Sequence, residues 1–278
     1  MLESGICSYR LRRGCNVKIA DNHLTDSDFR RARLRLLKMH YESGVGHIGG
    51  NLSALDSLMI TFHEFMRPSD RFILSKGHAA GALYVVLWSL GLLTDQDLGT
   101  FHRDDTLLAG HPPASGLPKI DFATGSLGHG LSLAAGTALA FRLKASEGRV
   151  FCMTSDGEWQ EGSTWEAFIF ACHQKLSNLT ILVDHNGLQG FGTTAEVASM
   201  QPLQARISGF DAEIDVVSGH DPAKVRHALN RNTDRPHVVV METVKGKGVS
   251  FMENQMAWHY RPLNEALYSQ AIQELTEA

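Results

Sequence analysis

The fold of this chain is decided by two apolar runs, Val150-Phe151-Cys152-Met153-Thr154-Ser155-Asp156-Gly157 and Leu179-Thr180-Ile181-Leu182-Val183-Asp184-His185-Asn186. A stretch of helical character lies between them, so the pattern predicts a strand, a helix and a second strand. Right-handed crossovers make two such strands parallel, which brings Asp156 and Asn186 to the carboxyl edge of one sheet. Open α/β sheets bind their ligands at that edge.

The two polar side chains at this edge suit a divalent cation. Asp156 offers a carboxylate and Asn186 an amide carbonyl, which together form a sparse set of hard oxygen ligands. Such a set suits Mg²⁺ or Ca²⁺ when a phosphate ester and water supply the remaining ligands. The sequence therefore predicts a cofactor that carries a diphosphate.

The overall composition narrows the class of protein. The chain has 278 residues, with 26 basic and 30 acidic side chains and a net charge of −4. No basic run marks a surface for nucleic acid or for an anionic membrane, so neither partner is expected. The four cysteines form no C-x-x-C pair, no stretch approaches membrane-spanning length, and the N-terminus lacks a signal-peptide core. These features favour a cytoplasmic protein.

Alternating strand and helix patterns predict a doubly wound α/β fold, with a mostly parallel sheet flanked by helices. Residues 1–22 show no period and are interpreted as a loose N-terminal arm, and residues 23–278 as a single domain. Ser53 and Asp56 are predicted to cap the second helix, which ends before Pro68. The other predictions are helices near 27–42, 81–92, 131–145, 162–175, 222–230 and the last 18 residues, strands near 71–75, 213–217 and 237–243, and a loop over 101–120.

A glycine-rich turn, Gly125-Ser126-Leu127-Gly128-His129-Gly130, precedes the helix near 131–145. Glycines that open a helix let backbone N–H groups approach a phosphate, as they do in dinucleotide-binding proteins. The spacing differs from that fingerprint, and the preceding strand is weak. Glycines that allow close helix packing are therefore the stronger interpretation.

Histidine follows glycine at several positions, among them His47, His78, His111 and His129. Each one alone is more simply a surface or structurally bonded residue, but together they favour a site that moves protons and holds oxyanions. Zinc is the rival interpretation, although no H-x-x-x-H or H-E-x-x-H pattern supports it. Acidic residues after Asp156 can complement a helix dipole or serve the site.

Residues 155–167, SDGEWQEGSTWEA, and residues 184–189, DHNGLQ, resemble the thiamine-diphosphate motif of the transketolase family. The resemblance extends, in family order, from about residue 30 to residue 265. The further matching segments are Ser43–His47, Leu74–Ala79, Gly110–Pro112, Thr124–Gly128, Lys245–Gly248 and Trp258-His259.

The resemblance implies a site for thiamine diphosphate and Mg²⁺, or Ca²⁺ or Mn²⁺ in its place. The implied metal ligands are Asp156, Asn186 and the backbone carbonyl of Leu188. The implied cofactor contacts are Lys76, His78, Gly125, Leu127, Gly157, Glu158, Asn186, Gln189, Lys245 and His259. The implied catalytic residues, which bind substrate hydroxyls and relay protons, are His47, His78, His111 and His259. Glu161 and Glu166 match acidic residues that link paired cofactor sites.

Three features depart from the family pattern. Ser155 stands where glycine is usual, and His129 stands where glutamine is common. A full transketolase also carries two further domains, and the middle one supplies the glutamate that activates the cofactor's aminopyrimidine. This chain stops after the first domain. The pyrimidine-binding and C-terminal domains are therefore expected on a partner chain.

The resemblance implies the N-terminal subunit of a two-chain transketolase, which moves a two-carbon ketol unit from a ketose to an aldose. Two copies of each chain are expected, with sugar phosphates as substrates. One alternative is a noncatalytic binding or regulatory subunit whose active site has been lost. The retained site residues argue against such a loss. Another is a 1-deoxyxylulose-phosphate-synthase-like enzyme that condenses pyruvate with an aldose phosphate. Pentose phosphates, branched sugar phosphates and sulfonated sugars all stay open as substrates.

Overall fold

The computed structural model describes residues 23–114 and 116–277, so the arm predicted over residues 1–22 lies outside the described residues. Its strands are β1 (Arg71–Leu74), β2 (Val150–Ser155), β3 (Leu179–His185), β4 (Leu188–Gln189), β5 (Gly192–Thr193), β6 (Glu213–Ser218) and β7 (His237–Glu242). The main sheet has the order β1-β2-β3-β7-β6, and all of its pairings are parallel. Strands β4 and β5 form a small antiparallel hairpin.

The helices form the larger part of the regular secondary structure. They are α1 (Asp26–Ser43), α2 (Ile48–Ile60), α3 (Ala80–Ser89), α4 (Asp95–Leu98), α5 (Gly130–Leu143), α6 (Gly162–His173), α7 (Thr194–Ala198), α8 (Leu203–Ile207), α9 (Pro222–Leu229) and α10 (Glu265–Glu277). Short 3₁₀ segments follow β1 and β2, at Gly77–Ala79 and Gly157–Gln160, and a third spans Met256–His259.

Side chains that alternate along the strands form one hydrophobic core on each face of the sheet. Phe151 and Met153 pack with helices α1, α2, α3, α9 and α10, whereas Val150 and Cys152 pack with α5, α6 and α8. The central strands are buried on both faces, which is why they read as continuous apolar runs. The prediction of a doubly wound α/β fold is confirmed.

The topology creates a crevice between the carboxyl ends of β3 and β7. The chain runs through β1, β2 and β3 in order, continues to the edge strand β6, and then returns to β7 beside β3. The crossover helices α6 and α9 lie on opposite faces of the sheet. In open α/β folds, ligands bind where the strand order reverses in this way. Asp156 follows β2, Asn186 follows β3 and Lys245 follows β7.

The predicted start of the second helix is wrong. Helix α2 begins at Ile48, after His47 in the left-handed conformation at φ 67°, so Ser53 and Asp56 lie inside the helix instead of at its cap. Both side chains are buried and bond to other elements. Ser53 donates to Asp184, and Asp56 pairs with Arg33 and with His220 Nδ1 at 2.8 Å. Their residue types suggested a cap because such side chains bond backbone donors there, but here their partners are distant side chains.

The other predicted elements agree with the structure to within a few residues. Helix α1 begins as predicted, because the Thr25 N–H and hydroxyl donate to the Asp28 carboxylate at 2.9 and 2.7 Å. Within the described residues of 101–120 the chain forms neither helix nor strand. Helices α4, α7 and α8 and the β4–β5 hairpin were not predicted. Of the helices in the described part of the chain, none is both long and apolar enough to cross a membrane.

Candidate active site

The turn after β3 joins the predicted metal ligands through short hydrogen bonds. The Asp156 carboxylate accepts from the N–H of Gly157 at 2.8 Å and from the N–H of Gly187 at 2.6 Å. The Asn186 side-chain oxygen accepts from the N–H of Leu188 at 3.1 Å. Gly187 of this turn therefore lies against the end of β2, with Asn186 and Leu188 on either side of it in the chain. Burial first, and the neighbouring Asp184 second, raise the pKa of Asp156.

This donor set fits a small divalent cation. It consists of a carboxylate, a side-chain carbonyl and a main-chain carbonyl, all of them hard oxygen ligands. Asp156 is only 5% exposed and lies beside a second buried carboxylate, so its charge is poorly solvated. A cation at this position would relieve both the burial and the repulsion. Among the residues that the structure describes, no group of three or more His, Cys, Asp or Glu could hold a metal, so the zinc interpretation gains no candidate cluster.

Four of the predicted histidines converge above the same edge. The ring centre of His47 lies 5.1 Å from that of His259, 5.6 Å from that of His78 and 6.1 Å from that of His111. The left-handed backbone of His47 and a bond from its N–H to the His259 carbonyl, 3.0 Å long, fix this arrangement. The structure thus brings together residues that are more than two hundred positions apart in sequence.

The four histidines of this cluster all have lowered pKa values. Burial, followed by the charge of neighbouring groups, lowers the pKa of His47 to about 4 and that of His259 to about 3. Burial and the nearby Lys76 hold the pKa of His78 well below its usual value, and burial also lowers the pKa of His111. All four imidazoles are therefore neutral at pH 7. Basic groups this crowded favour an anionic ligand, which would raise these pKa values.

The two predicted lysines differ in their surroundings. The Lys245 ammonium donates to the carbonyl of Leu188 at 3.3 Å and to Nδ1 of His259 at 3.0 Å. It therefore lies between the histidines and residues 186–188, which carry predicted metal ligands and are called the metal turn below. Burial first, and Lys76 second, lower its pKa to about 8. Lys76 is 1% exposed, and its ammonium bonds the Asp184 carboxylate and the Gly50 carbonyl. Lys245 is thus better placed than Lys76 to contact a diphosphate.

The glycine-rich turn packs against the end of β1. Gly128 has a φ of 83°, and a Cβ on Gly130 would overlap the Ser75 side chain, so close packing of α5 requires glycine there. This agrees with the packing interpretation of the turn. Gly125 lies beside the His111 ring, and its backbone N–H faces Gly77 across a gap too small for a Cβ. Leu127 is half-buried in the same turn.

Glu158 lies beneath this turn and is fully buried. Its carboxylate accepts from the N–H of Gly128 and the N–H of Ser155, both at 2.9 Å, and from the Ser75 hydroxyl. Burial raises its pKa against the effect of these donors. Its predicted contact with the cofactor stays a prediction, and in this geometry the carboxylate bonds protein groups only.

The remaining predicted residues differ in their exposure. Gln189 donates to the Gln160 side chain at 3.0 Å and lies against Gly157. Glu161, Glu166 and His129 are exposed, and Ser155, the residue that replaces glycine, is buried with its N–H bonded to Glu158.

The sequence interpretation missed several residues that support the site. Asp184 is the most connected of them. Ser53 and Thr243 both donate to its carboxylate, and Tyr260 closes the hairpin side of the site, where its hydroxyl packs against Gly190. A charged residue inside the apolar run 179–186 was the signal for Asp184, because a buried charge requires partners.

A small cavity of about 50 Å³ adjoins the histidines. It is lined by His47, His78 and His111 and also by His40, Phe101 and His102. His40 is 1% exposed, and neither ring nitrogen has a hydrogen-bond partner.

Comparison with known proteins shows which family this chain resembles. Residues 35–276 match the family described as "Transketolase, thiamine diphosphate binding domain". The chain is similar to one of the apulose-4-phosphate transketolase subunits of Phocaeicola vulgatus, with 35% identity over 88% of this chain and 91% of that protein. It is also similar to the 6-deoxy-6-sulfo-D-fructose transketolase subunit SqwG of a Clostridium species, with 34% identity over 84% of this chain and 89% of that protein.

The fold agrees with solved transketolases. The chain superposes on a transketolase from Leishmania mexicana with a TM-score of 0.84 and 22% identity, covering 92% of this chain. It spans 42% of the length of that enzyme.

The fold and the site define a thiamine-diphosphate-binding α/β domain. The chain belongs to the transketolase family and corresponds to its N-terminal part, as the sequence resemblance predicted.

Proposed function

We propose that this chain is the N-terminal subunit of a two-chain transketolase, which transfers a two-carbon ketol unit between sugars, with sugar phosphates as substrates. The observation that carries this proposal is the convergence of Asp156, Asn186, Lys245 and four histidines at one edge of the sheet. The match to relatives named as transketolase subunits, over about nine-tenths of their length, supports it. The same proposal treats residues 23–278 as one thiamine-diphosphate-binding domain.

In this proposal Asp156, Asn186 and the Leu188 carbonyl would hold Mg²⁺, which would neutralise the charge of a cofactor diphosphate. Lys245 adds a positive charge, and Gly157 lets the backbone approach the phosphates. When bound, thiamine diphosphate supplies a nucleophilic carbon and an electron sink for cleavage of the carbon bond. Gly125, Leu127 and Gln189 would contact its rings.

The histidines provide the acid–base chemistry. Because His47 is neutral in the free protein, it can accept a proton from a sugar hydroxyl. The Lys245 ammonium donates to Nδ1 of His259, which leaves the proton of that ring on Nε2. His78 and His111 complete a set of imidazoles that can hold the substrate hydroxyls and return protons to the product.

A companion chain should complete the site. Several apolar side chains near the carboxyl edge are exposed, with Phe191 84% and Tyr260 57% accessible. On α6, Ile169 and Phe170 are also exposed, beside the predicted linking residues Glu161 and Glu166. We infer that a pyrimidine-binding subunit covers these surfaces in an assembly of two copies of each chain. The buried free thiols Cys152 and Cys172 support a cytoplasmic location.

Ketol transfer should be measured with the chain alone and with a companion of the pyrimidine-binding type, together with calorimetric titration of Mg²⁺ and thiamine diphosphate. We expect activity and cofactor binding from the pair and little of either from the chain alone. A folded pair that binds no cofactor would favour the noncatalytic alternative. Activity with pyruvate as the donor would favour the condensing enzyme.

A further inference from the structure

The two consecutive residues Ser75 and Lys76, which follow β1, bond two buried carboxylates on opposite sides of the site. The Ser75 hydroxyl donates to Glu158, and the Lys76 ammonium donates to Asp184. Both carboxylates are fully buried, with 0% of their surface exposed. The turn after β1 therefore connects the two halves of the cofactor site.

On one side, Asp184 organises the metal turn. One oxygen accepts from the Ser53 hydroxyl at 2.6 Å and from the Asn186 amide nitrogen at 3.4 Å, and the other accepts from Thr243. The Asn186 amide nitrogen is directed at Asp184, so its oxygen faces the other way and accepts from the N–H of Leu188. The contact thus sets which end of the Asn186 amide faces a cation.

On the other side, Glu158 organises the glycine-rich turn. It accepts from the N–H of Gly128 at 2.9 Å, and Ser75 in turn accepts from the N–H of Gly130 at 3.1 Å. The same carboxylate accepts from the N–H of Ser155, just before the metal ligand Asp156. Glu158 thus fixes the glycine-rich turn to the strand end that carries the metal ligand.

We propose that the Ser75-Lys76 pair, acting through Glu158 and Asp184, presets the cofactor site and that these four side chains position the ligands without touching the cofactor. This inference rests on the proposed function. It assigns Lys76 and Glu158 a positioning role in place of the direct cofactor contact that the family resemblance implies. Partners that orient metal ligands typically contribute 10- to 100-fold to metal affinity.

The Asp184 side is tested with the double variant Lys76→Met/Asp184→Leu in complex with the companion chain. Replacing a buried ion pair by apolar residues of similar volume is often neutral for stability. Here Ser53 and Thr243 also lose their acceptor, so we expect the variant to fold with a lowered melting temperature. We expect the affinity for Mg²⁺–thiamine diphosphate, measured by calorimetry, to fall at least 10-fold, and the preference for Mg²⁺ over Ca²⁺ to weaken. A folded variant with affinity within twofold of wild type overturns the inference.

A control at the other end of the same strand separates positioning from general stability. Asp70 is equally buried and pairs with Arg149 at 2.8 Å, just before β1. Asp70→Asn should lower the melting temperature and leave cofactor affinity unchanged. An equal loss of cofactor affinity in Asp70→Asn would contradict a specific role for the Asp184 side. If the double variant does not fold, Ser53→Ala replaces it, with an expected loss of at least 3-fold and with unchanged affinity counting against the inference.

The Glu158 side is tested with Glu158→Gln, which places an amide NH₂ against N–H and hydroxyl donors. We expect cofactor affinity to fall at least 10-fold while the Mg²⁺ to Ca²⁺ preference stays as in wild type, because Asn186 keeps its partners. Unchanged affinity in a folded complex would remove this half of the proposal. A wild-type complex that binds no cofactor would instead refute the proposed function itself.

Discussion

Lys245 shows how burial can bring the pKa of a lysine close to neutral pH. Its ammonium lies between the Leu188 carbonyl and the His259 ring, and its pKa is lowered to about 8, first by burial and then by Lys76. Only the protonated form attracts a diphosphate. A bound anion would favour that form and raise the pKa, so binding is linked to proton uptake.

We therefore predict that cofactor affinity falls as the pH rises above about 8, because the free protein loses the Lys245 proton there. Calorimetry of the complex between pH 7 and 10 measures this slope. Lys245→Met should weaken binding at pH 7 at least tenfold and flatten the slope. A wild-type affinity that is constant over this range would show that Lys245 does not contact the diphosphate.

At the residue scale, the sequence identified the groups but not their partners. The resemblance named Lys76 and Glu158 by position, yet their bonds to Asp184 and Ser75 join residues 108 and 83 positions apart. Such contacts depend on how the strand ends meet in space, which no local pattern specifies. Ser53 and Asp56 illustrate the same limit, since both serve distant side chains and not the helix start.

At the scale of elements, the first residue of helix α5 lies very close to the turn after β1. A Cβ at Gly130, the first residue of the helix, would lie 2.6 Å from the Cα of Ser75, whereas a Cβ at Gly136 on the same helix would meet nothing within 4 Å. The two glycines lie on the same helix but differ in packing, so one can serve as the control for the other. Overpacked positions typically lose 1–3 kcal/mol.

We predict that Gly130→Ala lowers the free energy of unfolding by about 1–3 kcal/mol. Its matched control, Gly136→Ala, should raise the free energy by up to about 1 kcal/mol through helix propensity. Urea unfolding of the two variants and of the wild type measures these changes in free energy. Equal effects of both substitutions would mean that the contact between α5 and β1 has little energetic value.

Elements were predicted well where the pattern was long and uninterrupted. The apolar runs of β2 and β3 and the helical period of α1 agreed with the structure, because buried strands and amphipathic helices have distinct spacing. The hairpin β4–β5 and the short helices α4, α7 and α8 were missed. They span two to five residues each, which is too short for a period to emerge.

At the scale of the whole molecule, buried histidine should make the fold sensitive to acid. His40 is fully buried in α1 against Phe101, and burial lowers its pKa to about 4 from an ordinary value of 6.5. Between these values the unfolded chain binds the proton and the folded chain does not. Stability therefore falls as the pH falls from 6.5 toward 4, by up to about 3 kcal/mol from this residue.

We predict that His40→Leu reduces the loss of stability between pH 7 and pH 5, because leucine cannot take up the proton. Urea unfolding at both pH values gives the two free energies for each protein. His47 and His259, with pKa values lowered to about 4 and 3, would still contribute a loss in the same direction. An unchanged difference between the two pH values in the variant would exclude His40 as a source.

The central claim is that Asp156, Asn186 and the Leu188 carbonyl hold the divalent ion that binds the cofactor. The most direct test is a crystal structure of the chain with its companion, thiamine diphosphate and Mn²⁺, in which anomalous scattering locates the ion. We predict one Mn²⁺ per site, ligated by these three oxygens and by the diphosphate. An ion bound by other side chains, or a bound cofactor with no ion, would contradict this claim.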